Sequence, residues 1–314
     1  MAGERPVALA QGCRSAELLR VYGPEQRLKT PEKSLVVGAS GQVGHQLVLA
    51  LGPENVVGVG RARLDLALLS KNPEAAERIL REENIGAVYC VGGATDVEGC
   101  ETGLIEAEEI NHVGASVLAS LSRQVPFVYF STEYVFDGEG GPYTEASPVN
   151  PVSEYGRSKA RGERAVMEAH SRALIVRTTV VYGHDPNGKN FLYGLRRNLA
   201  AGKRMRVPDD QISTPTYNRD LARAATLLVE RGETGIFHIC GPQLLSRYDF
   251  AVRCAGVMGL DARLIDGVPT AELGQKARRP LNAGLLTERL RETLPDFRMR
   301  DLEEGVKDWL RSDD

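Results

Sequence analysis

The sequence predicts a doubly wound α/β protein. Two observations carry this: from Ser34 onward short apolar runs alternate with longer segments of helical period, and the runs are apolar throughout rather than at every second residue. A strand covered on both faces reads as a continuous apolar run, and the intervening helices supply the cover, so the sheet is expected to be parallel. The strand candidates are "SLVVGAS", "NVVGVG", "AVYCVGG", "PFVYFS" and "ALIVRTTVVYG". Between them lie the helix candidates "QVGHQLVLALG", "PEAAERILREEN", "EAEEINHVGASVLASLSRQ" and "SEYGRSKARGERAVMEAHS", each closing near Gly, Asn, Pro or Ser.

After Gly183 the rhythm changes to a loop, "HDPNGKN", a basic helix, "FLYGLRRNLAAGKRMR", and the irregular "VPDDQISTPTYN". These read as a smaller lobe laid against the sheet edge. "NRDLARAATLLVERG" and "GIFHICG" read as a helix and a buried strand of the main domain, so the lobes interleave. The expected organisation is an N-terminal extension over 1–33, a main domain over 34–183 and a second lobe over 184–314, with segments near 217–241 returning to the main domain. Residues 1–33 read as a loose arm or as a short docking helix around Ala16–Val21.

Bulk properties narrow the function. In 314 residues, 42% hydrophobic and 26% charged, the formal net charge is -3, which gives no general attraction for nucleic acid or an anionic membrane. Five scattered cysteines without a CxxC pair fit reduced thiols in a reducing compartment. Charges interrupt the N-terminus before a signal-like apolar run develops, and no run approaches the ~20 apolar residues of a membrane span. A cytoplasmic protein is expected. The five histidines have no metal-ligand spacing and form no Ser/His/Asp arrangement, so no metal site is expected.

Gly38, Gly41 and Gly44 stand at GxxGxxG spacing between the first strand candidate and the first helix candidate. Glycine there allows a tight turn and close approach of backbone N–H groups to a pyrophosphate, at a helix end that carries partial positive charge. The alternative is glycine used only for helix–strand packing. With the flanking strand and helix, the loop Gly38–Gly44, including Ser40, Gln42 and Val43, is expected to bind a dinucleotide. Residues 34–183 then form a Rossmann-like NAD(P)-binding domain, with 184–314 as the smaller C-terminal substrate-binding lobe.

The second strand ends at "GRARLD", where a carboxylate would hold the ribose of NAD; Arg61 and Arg63 stand there instead. A guanidinium pairs with a 2′-phosphate, so NADPH is expected, with NADH as the lesser option. Two solvated arginines at a strand end are the alternative. Asp65 and Leu66 follow, Asp65 facing the adenine, and Gly92 and Gly93 close the third strand toward the same ligand.

Tyr155 and Lys159 form YxxxK at the start of a candidate helix, one turn apart on one face. Ketone reduction needs a proton delivered as hydride arrives, and an ammonium beside a phenol, whose free pKa is ~10, makes the tyrosine a competent acid. The strand before this helix ends in Ser131 and Thr132, at the sheet edge where open α/β proteins bind ligands. A hydroxyl there can hydrogen-bond the reacting oxygen or can close its own Ser/Thr turn. Glu133 is a second proton donor, an acceptor for a substrate hydroxyl or a solvated residue.

With these residues in place, "STEYVFDG", "PYTE" and "YGRSK" resemble the signature of the extended short-chain dehydrogenase/reductases, most closely the dTDP-4-dehydrorhamnose reductase group. The similarity runs from Ser34 to Leu310 and includes "LDL", "TDVEGCE", Asn111, "RTTVVYG", "NFLYGL", "DQISTPT" and "RRPLNAGLL". The resemblance implies NAD(P)H-dependent reduction of the C4 ketone of a nucleotide-linked 6-deoxysugar, and it leaves room for a homodimer. It assigns Thr132, Tyr155 and Lys159 to the catalytic set and Tyr134 to the sugar pocket. Three positions depart from the pattern: Glu133 for aspartate, Cys90 for asparagine and Ser213 for glycine. Glu133 and Cys90 are expected near the nicotinamide or the sugar.

A nucleoside diphosphate sugar needs cations or helix-end N–H groups for about two negative charges. Asn190 and Phe191 open the basic helix, which is expected to contain Arg196, Arg197, Lys203, Arg204 and Arg206. Together with Glu133, Tyr134, Gln211 and Arg279 they form the expected substrate set. Most of the basic run is expected to be a solvated face. Two other functions share the fold: a nucleotide-sugar epimerase or dehydratase that retains its cofactor, and a non-catalytic NADP-binding subunit resembling the regulatory β subunit of methionine adenosyltransferase.

Overall fold

The computed structural model describes residues 32–313. The docking helix expected at Ala16–Val21, nearly all of the 1–33 extension and Cys13 lie outside the described residues. Six strands form one sheet: β1 (Lys33–Val37), β2 (Val56–Val59), β3 (Ile85–Cys90), β4 (Phe127–Thr132), β5 (Ala173–Thr178) and β6 (Gly235–His238). Their order is β6-β5-β4-β3-β1-β2, and every pair is parallel. The chain steps from β1 outward to β2 and then back to β3 on the other side of β1, so a crevice opens at the carboxyl ends of β1 and β3, the ligand position of such sheets.

Helices cover both faces, as continuous apolar strands require. Leu35 and Val37 of β1 pack with Ala76 and Ile79 of α2 (Glu74–Glu82), Leu118 of α5 (Ala115–Leu121) and Val166 of α6 (Glu154–Ala169). Val36 points the other way, into a cluster with Leu47 of α1 (Gln42–Leu51) and Leu221 and Leu228 of α8 (Asn218–Glu230). This period-2 alternation gives the fold two cores separated by the sheet. A third cluster joins α7 (Phe191–Ala200), α9 (Arg247–Val257) and α11 (Leu302–Asp313) around Leu195, Phe250 and the fully buried Trp309. β6 pairs with β5 through Phe237 and Val176, so the chain re-enters the main sheet after α7.

Four segments differ from the sequence reading. The long helix expected over "EAEEINHVGASVLASLSRQ" is divided into α4 (Leu104–Glu108), a π-helical segment Glu109–Gly114 and α5. Inside it the Asn111 carbonyl accepts the Tyr129 hydroxyl at 2.6 Å, and a Cβ on Gly114 would lie 2.0 Å from the Leu66 carbonyl. Tertiary contact at these two points overrides the local period. The basic helix ends at Ala200, because Gly202 turns through φ 67°, and Met205–Pro208 then pairs with Ile265–Val268 as a parallel two-stranded ribbon. Strand β5 ends at Thr178; Val180, at φ 39°, separates it from Val181–Tyr182, which pairs with Thr216–Tyr217. "VPDDQISTPTYN", read as irregular, holds the short strands Ile212–Ser213 and Thr216–Tyr217. Among the described residues no helix is long and apolar enough to cross a membrane.

Candidate active site

The turn after β1 is a cradle that only glycine fits. Gly38 has φ 93°, its N–H donates to the Val59 carbonyl at 2.8 Å, and a Cβ there would lie 2.6 Å from the Gly92 nitrogen. A Cβ on Gly44 would lie 2.1 Å from the Gly38 carbonyl, so this glycine lets α1 pack against the turn. Gly41 caps α1, no side chain fills the cap, and no acidic residue stands in the first turn. The helix therefore presents its unpaired N–H groups and partial positive charge, which suits a pyrophosphate. Ser40, Gly41, Gln42 and Val43 line a cavity of about 490 Å³. A second cavity of about 520 Å³ shares Gly38, Ser40, Gly92 and Gly93 with it and continues past Arg61, Asp65 and Leu66. Together the two form a groove across the crevice.

At the far end of the 490 Å³ cavity stand Thr132, Tyr155 and Lys159. α6 begins at Glu154 because the Ser153 hydroxyl accepts from the Gly156 N–H at 3.2 Å, and this cap fixes where Tyr155 enters the cavity. The Thr132 hydroxyl and the Tyr155 phenol line the same cavity. The Thr132 hydroxyl donates to Glu133 Oε2 at 2.9 Å and accepts the Tyr134 N–H at 3.2 Å. Burial and then the Glu133 charge push the Tyr155 pKa up, so the phenol keeps its proton. Lys159 Nζ rests 4.0 Å from the centre of the Tyr129 ring, and burial lowers its pKa to about 8. The sequence reading expected the ammonium to ease proton loss from the tyrosine; in this structure burial outweighs it and holds the proton on the phenol.

Ser131 and Thr132, adjacent hydroxyls at one strand end, do different work. Ser131 also borders the cavity, but its hydroxyl is taken up by Glu163, donating to Oε1 at 2.5 Å. Arg177 holds the same carboxylate with two bonds, at 2.9 and 2.7 Å. This buried trio ties β4, α6 and β5 together beneath the site. Asn111 adds a second brace: its side chain bonds both the N–H and the carbonyl of Ala94 at 2.9 Å and donates to the Ser158 hydroxyl at 3.0 Å.

Among the expected substrate residues, Glu133 and Tyr134 line the cavity, and the Tyr134 ring meets the Tyr155 ring edge-on at 5.4 Å. Burial raises the Glu133 pKa against the Thr179 and Thr132 hydroxyls. Arg279 is anchored to Glu98 at 2.8 Å and lies 6.0 Å from the Tyr134 ring, while its Nη1 is buried and without a partner. Asn190 is engaged internally: it caps α7 through the Leu192 N–H and donates to Gly183 and to Gln42 Oε1 at 3.0 Å, clamping the second lobe to the glycine loop. Phe191 carries the guanidinium of Arg247 at 5.2 Å. Gln211 donates to Thr270 and Gln275 and does not line the cavity. Cys90 is buried in the core between β1 and β4, where burial raises its pKa to about 12 against the nearby Lys159 charge.

Arg247 has no role in the sequence reading. It opens α9 behind the Ser246 cap, lines the cavity near Glu133 and Tyr134, and makes no ion pair among the described residues. The available signal was "SRYD", a helix start whose first residue is a cation. The basic run that attracted attention lies outside: Arg204 pairs with Asp266 and Arg206 with Glu272 on the surface.

The sequence profile of the RmlD substrate binding domain matches residues 32–313, nearly the whole chain. The chain belongs to this family. It is 34% identical to a dTDP-4-dehydrorhamnose reductase of Burkholderia thailandensis, over 85% of this chain and 95% of that one. A probable low-salt glycan biosynthesis reductase, Agl14 of Haloferax volcanii, is 33% identical over 79% of this chain and 87% of its own. In structure the chain resembles the dTDP-4-dehydrorhamnose reductase of Bacillus anthracis, solved in complex with NADP, with a TM-score of 0.84 and 29% identity over 90% of this chain and 100% of that one.

Proposed function

We propose that this chain is an NADPH-dependent reductase of the C4 ketone of a nucleotide-linked 4-keto-6-deoxysugar. The observation that carries the reading is the buried Thr132, Tyr155 and Lys159 at the end of a groove that begins at an uncapped, glycine-lined helix start. Family membership supplies the reaction class, oxidoreduction with NAD(P)H. Gly38–Gly44, Gly92 and Gly93 would hold the dinucleotide along the groove, with Arg61, Asp65 and Leu66 at its adenosine end. When bound there, the cofactor supplies the hydride.

The chain's own residues supply the proton and the geometry. Tyr155, kept protonated by burial, donates from Oη to the ketone oxygen, and Thr132 gives that oxygen a second hydroxyl contact. Lys159, one turn along the same helix face, adds positive charge where the phenolate forms and is the group to hold the nicotinamide ribose. Arg247 and Arg279 converge on Tyr134 and are the cations for the substrate diphosphate; Arg279 Nη1 is a buried donor awaiting an acceptor. Glu133 accepts a sugar hydroxyl. Asn190, Phe191 and Gln211 hold the second lobe in position around this contact.

Incubating the protein with NADPH and dTDP-4-keto-6-deoxyglucose, with and without a 3,5-epimerase, and following loss of the reduced cofactor tests the reading. Stoichiometric consumption with one of the two ketosugars is expected. No consumption with any 4-ketosugar would sink it and would favour a cofactor-retaining epimerase or dehydratase, or a binding subunit.

A further inference from the structure

Arg61 is the one cation on the wall of the adenosine-end cavity among the described residues. Arg63, its neighbour in the sequence reading, is turned away: it pairs at 3.1 Å with Glu83, which also holds Lys33 at 3.3 Å, and it does not line the cavity. Three carboxylates share that wall with Arg61, namely Asp65, Asp96 and Glu106. Glu106 Oε1 bonds Arg61 Nη2 at 2.7 Å, and Asp65 Oδ2 lies 3.7 Å from Arg61 Nε.

The two partners of Arg61 are held differently. Asp65 is fixed, because its Oδ1 accepts the Ala67 N–H at 3.0 Å and caps the turn that follows β2. Glu106 stands on α4 beside the exposed Leu104 and Ile105, and among the described residues Arg61 is its one side-chain partner. A 2′-phosphate and the Glu106 carboxylate are both anions seeking the same guanidinium, so one must leave for the other to bind. Asp65, fixed and anionic, suits the 2′-hydroxyl of a non-phosphorylated ribose.

We infer that Glu106 sets the cofactor preference of this protein by competing with the 2′-phosphate for Arg61. The inference rests on the reading of the groove as a dinucleotide site. With Glu106 in place the adenosine end carries more negative than positive charge, and a 2′-phosphate must first break the Arg61–Glu106 pair, which narrows the preference for NADPH over NADH. With Glu106 neutralised, Arg61 is released to the phosphate.

Calorimetric titration of wild type and Glu106→Gln with NADPH and with NADH tests this without relying on turnover. The variant is expected to shift the ratio of the two dissociation constants toward NADPH by about three- to fivefold, the scale of an exposed ion pair. Glu109→Gln serves as the control for charge alone: Glu109 stands on the same rim, bonded to Ser70 at 3.4 Å, and does not touch Arg61. Its shift should be less than half as large. An unmoved ratio in Glu106→Gln, or an equal shift in Glu109→Gln, overturns the inference while leaving the groove's assignment standing. Failure of the wild type to bind either dinucleotide overturns both.

Discussion

At one end of the groove Thr132, Tyr155 and Lys159 are 5%, 8% and 4% exposed, and the Glu163–Arg177 pair beneath them is equally buried. At the other end the side chains of Arg61 and Glu106 are 62% and 61% exposed. Buried polar groups must be satisfied by partners in fixed positions, since an orphaned one costs about 1–3 kcal/mol and an orphaned charge more. Exposed pairs contribute roughly 0–1 kcal/mol and rearrange freely. The end proposed to deliver the proton is thus held by buried, mutually dependent interactions. The end proposed to choose the cofactor rests on an exposed pair that single substitutions can retune without disturbing the fold.

Four substitutions or titrations would break or sharpen this contrast. Tyr155→Phe removes the proton donor and keeps the ring, so turnover should fall by about two to four orders of magnitude, the range for loss of a general acid, with dinucleotide binding nearly intact by calorimetry. Undiminished turnover would take Tyr155 out of its role. Glu163→Ala leaves Arg177 as an uncompensated buried charge and frees the Ser131 hydroxyl; denaturant unfolding should register a loss of roughly 3–5 kcal/mol. A loss below about 1 kcal/mol would mean that the trio is no firmer than a surface pair.

The pH dependence comes next in size. Lys159 is protonated below its pKa of about 8 and loses its charge as pH rises through that value, because burial disfavours the ammonium. The kcat/KM for the ketosugar should therefore hold below that pH and drop about tenfold per unit well above it, as the protonated fraction does. Lys159→Arg, which stays charged, should displace this limb upward, and a limb unmoved by the substitution would belong to another group. The smallest effect is at the exposed end: Arg61→Ala should weaken NADPH severalfold more than NADH. Equal weakening would make Arg61 a bystander.

The sheet and the turn that brings Tyr155 and Lys159 into the cavity were legible because both are local. Continuous apolar strands, GxxGxxG between a strand and a helix, and YxxxK at a helix start each declare themselves within a few residues. What the sequence concealed is held together over distance. Glu163 meets Arg177 across two elements, Arg61 meets Glu106 over 45 positions, and Arg247 reaches Tyr134 from the second lobe. The π-helical break at Asn111 was hidden for the same reason, since Tyr129 and Leu66, which impose it, lie outside the helix. The burial of Cys90 was hidden as well, because a one-residue step along β3 decides between core and crevice, and the apolar run carries no mark of which residue ends it.

The central claim, net reduction at C4 by the added cofactor, is tested most directly by running the reaction with NADPH deuterated at the transferred position and analysing the sugar by proton NMR. One deuterium at C4 of a reduced product, with an equivalent of NADP formed, is the expected result. A ketosugar that is isomerised or dehydrated with no deuterium from the added NADPH and no NADP released would contradict the account.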